Sequence, residues 1–184
     1  GNLVEDGYEK GIAAYDRKDY AEALRLLKPF AEQGYADAQN KLGVMYDNGA
    51  GVSEDDVEAM RWYRKAADQG NANAQYSLGS MYQFGVGLTE DYAVAVRWYR
   101  KAAEQGHATA ELDLGVMYAR GEGVTQDKAE AVRWYRKAAE HGHSIGQLFL
   151  AQAYDFGTGV TEDDVEAVRW YRKAAEQRNA LAQD

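Results

Sequence analysis

The sequence predicts an all-α fold, a solenoid of stacked antiparallel helix pairs, and three observations carry that expectation. The first is repetition: Arg-Trp-Tyr-Arg-Lys-Ala-Ala stands unchanged at 61–67, 97–103, 133–139 and 169–175, so Trp62, Trp98, Trp134 and Trp170 recur every 36 residues. A fixed period of this size marks a unit that cannot bury its own apolar face and must stack on a neighbour. The second is helical spacing of the apolar residues inside each unit, and the third is glycine punctuation between the helices.

The N-terminal unit, 1–34, is atypical. Tyr8, Ile12, Ala13 and Tyr15 predict one helix, Arg17-Lys18-Asp19 a turn, and Tyr20 to Gln33 a second helix closed by Gly34. Pro29, the only proline, falls inside that second helix, where a missing N–H predicts a kink or a tolerated break.

Four regular units follow at 35–70, 71–106, 107–142 and 143–178, giving with the N-terminal unit a single repeat domain over 1–184. Ala38, Leu42, Met45 and Tyr46 lie on one stripe and define a first helix. Gly49-Ala50-Gly51-Val52 ends it, because glycine reaches left-handed backbone angles cheaply. Ser53 is the expected N-cap of the second helix, with Thr89, Thr125 and Thr161 in the same place, each followed by acidic residues that suit a helix N-terminus. That second helix carries Ala59, Tyr63 and Ala66, with Trp62 beside them, and ends at Gly70; Gly106 and Gly142 end the next two. Arg178 stands where the fourth glycine would be. Asn179-Ala180-Leu181-Ala182-Gln183 then echoes Asn71-Ala72-Asn73-Ala74-Gln75, so 179–184 reads as the start of a truncated further first helix.

Composition narrows the function classes. A formal charge of -9 argues against nucleic acid or an anionic membrane surface as the main partner, since both require a basic footprint. Neutral to basic proteins or peptides fit better. The absence of cysteine removes disulfides, thiolate metal sites and thiol catalysis. No run of residues is long and apolar enough to predict membrane insertion.

The units resemble Sel1-like repeats, a relative of the tetratricopeptide repeat with a longer internal turn. The match rests on Leu-Gly-x-Met-Tyr at 42–46, 78–82 and 114–118, on Gly-x-Gly-Val/Leu at 49–52, 85–88, 121–124 and 157–160, and on Ala-x-x-Trp-Tyr-x-x-Ala-Ala at 59–67 and its three copies. Residues 19–24 resemble the middle of a tetratricopeptide repeat. In the last unit Gly146, Ala151 and Ala153 replace Ala, Gly and Met, which predicts less regular packing of its first helix. The resemblance implies a right-handed superhelix that serves as a scaffold or adaptor for protein complexes, in bacteria often in signalling, at the envelope or in host contact.

Comparison of the units within the chain separates framework from function. Opposite the stripe Ala38, Leu42 and Met45, at 100° per residue, lie Asn40, Val44 and Asp47, with Asp37 and Asn48 at the edges. Their counterparts differ from unit to unit: Asn73, Tyr76, Ser80, Gln83 and Phe84, then Thr109, Leu112, Val116, Ala119 and Arg120, then Ile145, Leu148, Gln152, Asp155 and Phe156, with Asp6 and Glu9 in the N-terminal unit. The resemblance implies that first helices line a concave face, so these residues would form a partner-binding groove roughly 40 Å long, room for about a dozen extended residues. Its N-terminal end is acidic, and further along it carries aromatic and aliphatic groups that mark interaction sites. A second expectation is a structural segment of a longer solenoid that associates end to end through its C-terminal side.

Other motifs have plainer readings. Four identical tryptophans beside a core tyrosine predict packing, with each indole N–H finding a local partner. The Gly-x-Gly turns lead into acidic residues that would repel phosphate, and Asp47-Asn48-Gly49-Ala50-Gly51 lacks the distal glutamate of a calcium loop. His107, His141 and His143 read as surface residues. No catalytic constellation, metal site or cofactor motif is recognisable, so a non-enzymatic module is expected.

Overall fold

The computed structural model describes residues 3–182, and all its regular structure among these is helical. The chain divides into two compact units, one ending at Glu90 and the other beginning at Asp91. The boundary falls within the second regular repeat, between its first and second helices. The first unit holds α1 (Leu3–Asp16), α2 (Tyr20–Glu32), α3 (Ala36–Asn48), α4 (Asp56–Asp68) and α5 (Ala72–Phe84). The second holds α6 (Tyr92–Glu104), α7 (Ala108–Arg120), α8 (Lys128–Glu140), α9 (Ser144–Phe156) and α10 (Asp164–Leu181).

The first helix of each regular repeat closes on a left-handed glycine, Gly49 at φ 61° being representative, whose N–H donates to the Met45 carbonyl. The second glycine of the turn answers to a different constraint: a Cβ on Gly51 would stand 2.5 Å from the backbone carbon of Tyr20. The turn therefore lies directly on the start of the preceding second helix, and any side chain there would lift it away.

The second helices begin later than the sequence suggests. Ser53, Thr89, Thr125 and Thr161 are not the caps; Asp55, Asp91, Asp127 and Asp163 are, each accepting from the N–H three residues on. The Asp55 carboxylate lies 3.0 Å from the Glu58 nitrogen. A carboxylate both accepts the bond and places negative charge at the positive helix end, which favours it over a hydroxyl two residues upstream. Pro29 does not break α2, which continues to Glu32; the ring sits on the exposed side in the last turn, where little helix remains to disturb. Residues 179–181 continue α10 rather than opening a new helix. Arg178 lacks the freedom of Gly70, which turns the chain at φ 95° in the first regular repeat. Gln183 and Asp184 lie outside the described residues.

The repeated Arg-Trp-Tyr-Arg-Lys-Ala-Ala resolves into separate duties. Arg61 pairs with Glu58 at 2.9 Å and covers the Trp62 ring from one side, while Lys65 lies 4.8 Å from its centroid. Tyr63 occupies the space left by Gly43, whose Cβ would meet the ring at 2.5 Å. Arg64 donates to the hydroxyl of Tyr82 on the next first helix, as Arg100 does to Tyr118 and Arg136 to Tyr154. The Ala67 carbonyl accepts from Gln75 on the next first helix, at 3.2 Å. Thus the stretch both packs its own pair and stitches it to the following one. One expectation fails: the buried Nε1 atoms of Trp62, Trp134 and Trp170 have no hydrogen-bond partner. These indoles are held by packing and by the cations on their faces, which contribute about 0.5–1 kcal/mol each where exposed.

The last first helix, α9, keeps the same 13 residues as its counterparts. Gly146 admits α8 closely, since a Cβ there would stand 2.8 Å from that of Ala138. Ala151 fills the position of Gly43 and Gly115, and the tyrosine above it, Tyr171, is only half-buried where Tyr63 is enclosed.

Candidate interaction face and pocket

Each repeat places five variable side chains on the side of its first helix away from the stripe, and the structure sorts them into three groups. Leu112, only 6% exposed, belongs to the core of the second unit with Ala131, Val132 and Tyr135, and Asn40 is likewise buried. These two correct the sequence reading. They lie on the edge of the helix that faces a neighbouring helix, as α3 faces α5 in the first unit, so they fill space rather than meet a partner. The Oδ1 atom of Asn40 is buried without a hydrogen-bond partner.

A second group is half-buried: Val44, Asp47, Tyr76, Ser80, Gln83, Thr109, Val116, Leu148 and Asp155. Asp47 accepts from the Tyr63 hydroxyl and Asp155 from that of Tyr171, each at 3.0 Å, so both carboxylates are already engaged. The third group is open: Asp6, Glu9, Asn73, Phe84, Arg120, Ile145, Gln152 and Phe156. Asp6 pairs with Lys10 at 2.8 Å, and Arg120 stands 3.9 Å from Glu122. Phe84 is 67% exposed and Phe156 72%, far more than phenylalanines kept for packing.

In the second unit this face opens into a pocket of about 430 Å³ between α7, α8 and α9. It is lined by Lys128, Ala131, Val132 and Tyr135 of α8, by Phe149, Gln152, Ala153 and Phe156 of α9, by Ala119 of α7 and by Thr158 just beyond α9. Tyr135 and Phe149 meet edge to face, with centroids 5.4 Å apart. The volume falls among binding pockets, which span roughly 300–1,000 Å³. The sequence reading names Gln152 and Phe156 but misses Tyr135, which repeats in every unit as Tyr63, Tyr99 and Tyr171, and also Lys128 and Phe149, which vary between units but lie outside the first-helix positions taken as the variable face. Ala119 was the available signal: where Tyr63 and Tyr171 face Asp47 and Asp155, Tyr135 faces a methyl group.

The histidines are structural rather than free surface groups. His107 and His143 cap α7 and α9, their Nδ1 atoms accepting from Ala110 and Gly146 at 3.1 and 3.3 Å. Burial lowers the His107 pKa, and the His143 charge adds to this. His141 Nδ1 lies 2.7 Å from Glu111, a side chain with no exposed surface. In the other repeats this place holds an amide pair, Gln39 with Gln69 and Gln147 with Gln177, each at 2.8 Å. Burial raises the Glu111 carboxyl above its ordinary value, while His141 and Lys137 draw it back. Among the described residues no three His, Asp or Glu side chains converge as metal ligands would, and no helix is long and apolar enough to cross a membrane.

Comparison with known proteins identifies the repeat. The model of the Sel1 repeat matches at 5–35, 36–71, 72–107, 108–143 and 144–179. A search of the curated proteins gives no match. Among solved structures, a protective antigen of uropathogenic Escherichia coli with an SLR fold superposes with a TM-score of 0.90 at 42% identity, over 98% of this chain and 39% of the antigen. The present chain thus spans well under half of that relative. A Sel1 repeat protein from Oxalobacter formigenes gives a TM-score of 0.86 at 42% identity, covering 92% of this chain and 70% of its own. Cysteine rich protein B of Helicobacter pylori gives 0.54 at 26% identity, over 67% of this chain and 88% of its own.

Proposed function

The chain belongs to the Sel1 repeat family, whose members commonly serve as protein-interaction scaffolds, and on that premise we propose that it is a non-enzymatic adaptor binding a peptide or extended protein segment on the face of its first helices. The pocket between α7, α8 and α9 is the observation that carries this reading. It joins an exposed aromatic ring, Phe156, to a preformed apolar lining, the combination in which interface anchors concentrate their energy. Phe84 offers a comparable ring in the first unit.

The test replaces Phe84 and Phe156 with Ser. Both rings are exposed, so the variant should melt like the parent while losing capture of an interaction partner selected by the intact chain. Undiminished capture by the folded variant would refute the proposed face.

A second reading, assembly through the C-terminal side, is favoured by α10. Val168 is 54% exposed there, although its counterparts Val96 and Val132 are 5% exposed, and Val165 and Leu181 are open as well. This reading expects concentration-dependent self-association; sedimentation that stays monomeric at high concentration would set it aside.

A further inference from the structure

We propose that the pocket between α7, α8 and α9 takes an acidic side chain flanked by a large apolar one, the carboxylate of the partner replacing an aspartate that this repeat lacks; the proposal deepens the interaction-face reading and rests on it. In the first and fourth regular repeats the framework tyrosine donates to a carboxylate 16 residues earlier, Tyr63 to Asp47 and Tyr171 to Asp155. The same spacing from Tyr135 leads to Ala119, whose side chain has no acceptor. Tyr135 lines the pocket, and its hydroxyl makes no hydrogen bond among the described residues. The substitution does two things at once: it frees a donor and, by shrinking the side chain, clears the volume in front of it.

Charge selects the occupant. No Asp or Glu lines this pocket, whereas Lys128 does, and the Arg120 cation acts on the Tyr135 phenol. At Tyr63 the neighbouring charge is the Asp47 anion. The electrostatic surroundings of the two hydroxyls are therefore opposite in sign. On a chain of net charge -9, this is a basic pocket with a vacant donor, suited to a carboxylate. Phe149, Phe156 and Val132 supply apolar surface for the residue beside it. The intramolecular precedent is a side-chain carboxylate, so the occupant is assigned as an internal Asp of a partner segment rather than a chain terminus.

Three capped peptides test this by NMR titration of the whole chain: acetyl-Leu-Phe-Asp-Leu-amide, its Asn analogue, and acetyl-Leu-Phe-Leu with a free terminal carboxylate. The Asp peptide should shift Ala153, Phe149 and Phe156 and bind roughly tenfold more tightly than the Asn peptide, the scale of a hydrogen bond to a charged acceptor. Tyr135→Phe should erase that preference without loss of fold, since the hydroxyl makes no internal bond. Ala119→Asp should erase it by restoring the internal carboxylate.

Equal affinity for the Asp and Asn peptides, or a preference that survives both substitutions, would overturn the assignment while leaving the interaction face standing if Phe156 still shifts. Absence of binding by either peptide would also overturn it, leaving the face to be judged by the Phe84 and Phe156 variant. Tighter binding of the free terminus than of the Asp peptide would overturn the choice of an internal side chain.

Discussion

The first and third regular repeats share a framework but differ at the cap of the second-helix tyrosine and at the amide pair, and these differences run in opposite directions. Around α3 and α4, Tyr63 is capped by Asp47 and Gln39 is paired with Gln69, a set of bonds complete within the chain. Around α7 and α8 the tyrosine cap is deleted, while the amide pair becomes an acid and an imidazole, Glu111 with His141. One change opens a donor toward solvent; the other buries a charge. A repeat array tolerates such exchanges one repeat at a time because each is felt only by its neighbours.

The largest effect is expected where the third repeat buries its acid. His141→Ala would leave Glu111 without its imidazole partner, and breaking a buried pair typically costs 3–5 kcal/mol. His141 is half-exposed, so solvent screens part of this and the loss should be about 3 kcal/mol in urea unfolding at neutral pH. The matching change Gln69→Ala removes a neutral bond from Gln39 and should cost only about 1 kcal/mol. Equal losses would mean that Glu111 behaves as an amide does.

The tyrosines give the next contrast. Tyr63→Phe deletes a bond to a carboxylate and leaves half-buried Asp47 without that donor, an expected cost of about 2 kcal/mol. Tyr135→Phe deletes nothing internal and should change stability by less than about 0.5 kcal/mol. A substantial loss at Tyr135 would show that its hydroxyl has an internal role and would weaken the case for an open donor.

Most of the framework was legible because repetition and glycine punctuation are local signals: the stripe Ala38, Leu42 and Met45 is fully buried, and Gly49 closes its helix. The helix starts were misplaced because Ser53 and Asp55 are both good capping residues, and backbone geometry decided between them. The interaction face was legible only in part. Leu112 and Asn40 have the variability of surface positions but lie at the edge where a neighbouring helix covers them, which a single-helix projection cannot register. Tyr135 was hidden by its own regularity, since its environment changed through Ala119 while its identity did not.

The smallest expected effect concerns pH and isolates the buried acid from the rest of the acidic chain. Burial raises the folded Glu111 pKa above its ordinary 4.5, so the folded state holds this proton more readily than the unfolded state does. Its contribution is fully present below the ordinary value and is lost as pH rises through the raised one. His107 acts oppositely: its lowered pKa gives a contribution present above the ordinary 6.5 and lost as pH falls through the lowered value. Replacing Glu111 and His141 together by Gln installs the pair found at Gln39 with Gln69, and removes the acid while leaving His107 unchanged. The double variant should match the parent within about 1 kcal/mol at neutral pH, because both partners of the pair are exchanged together. Against the parent, it should gain relative stability as pH rises from about 4.5 toward neutrality. A difference in unfolding free energy that is flat across that interval would place the Glu111 titration elsewhere and make the third repeat energetically equivalent to the first.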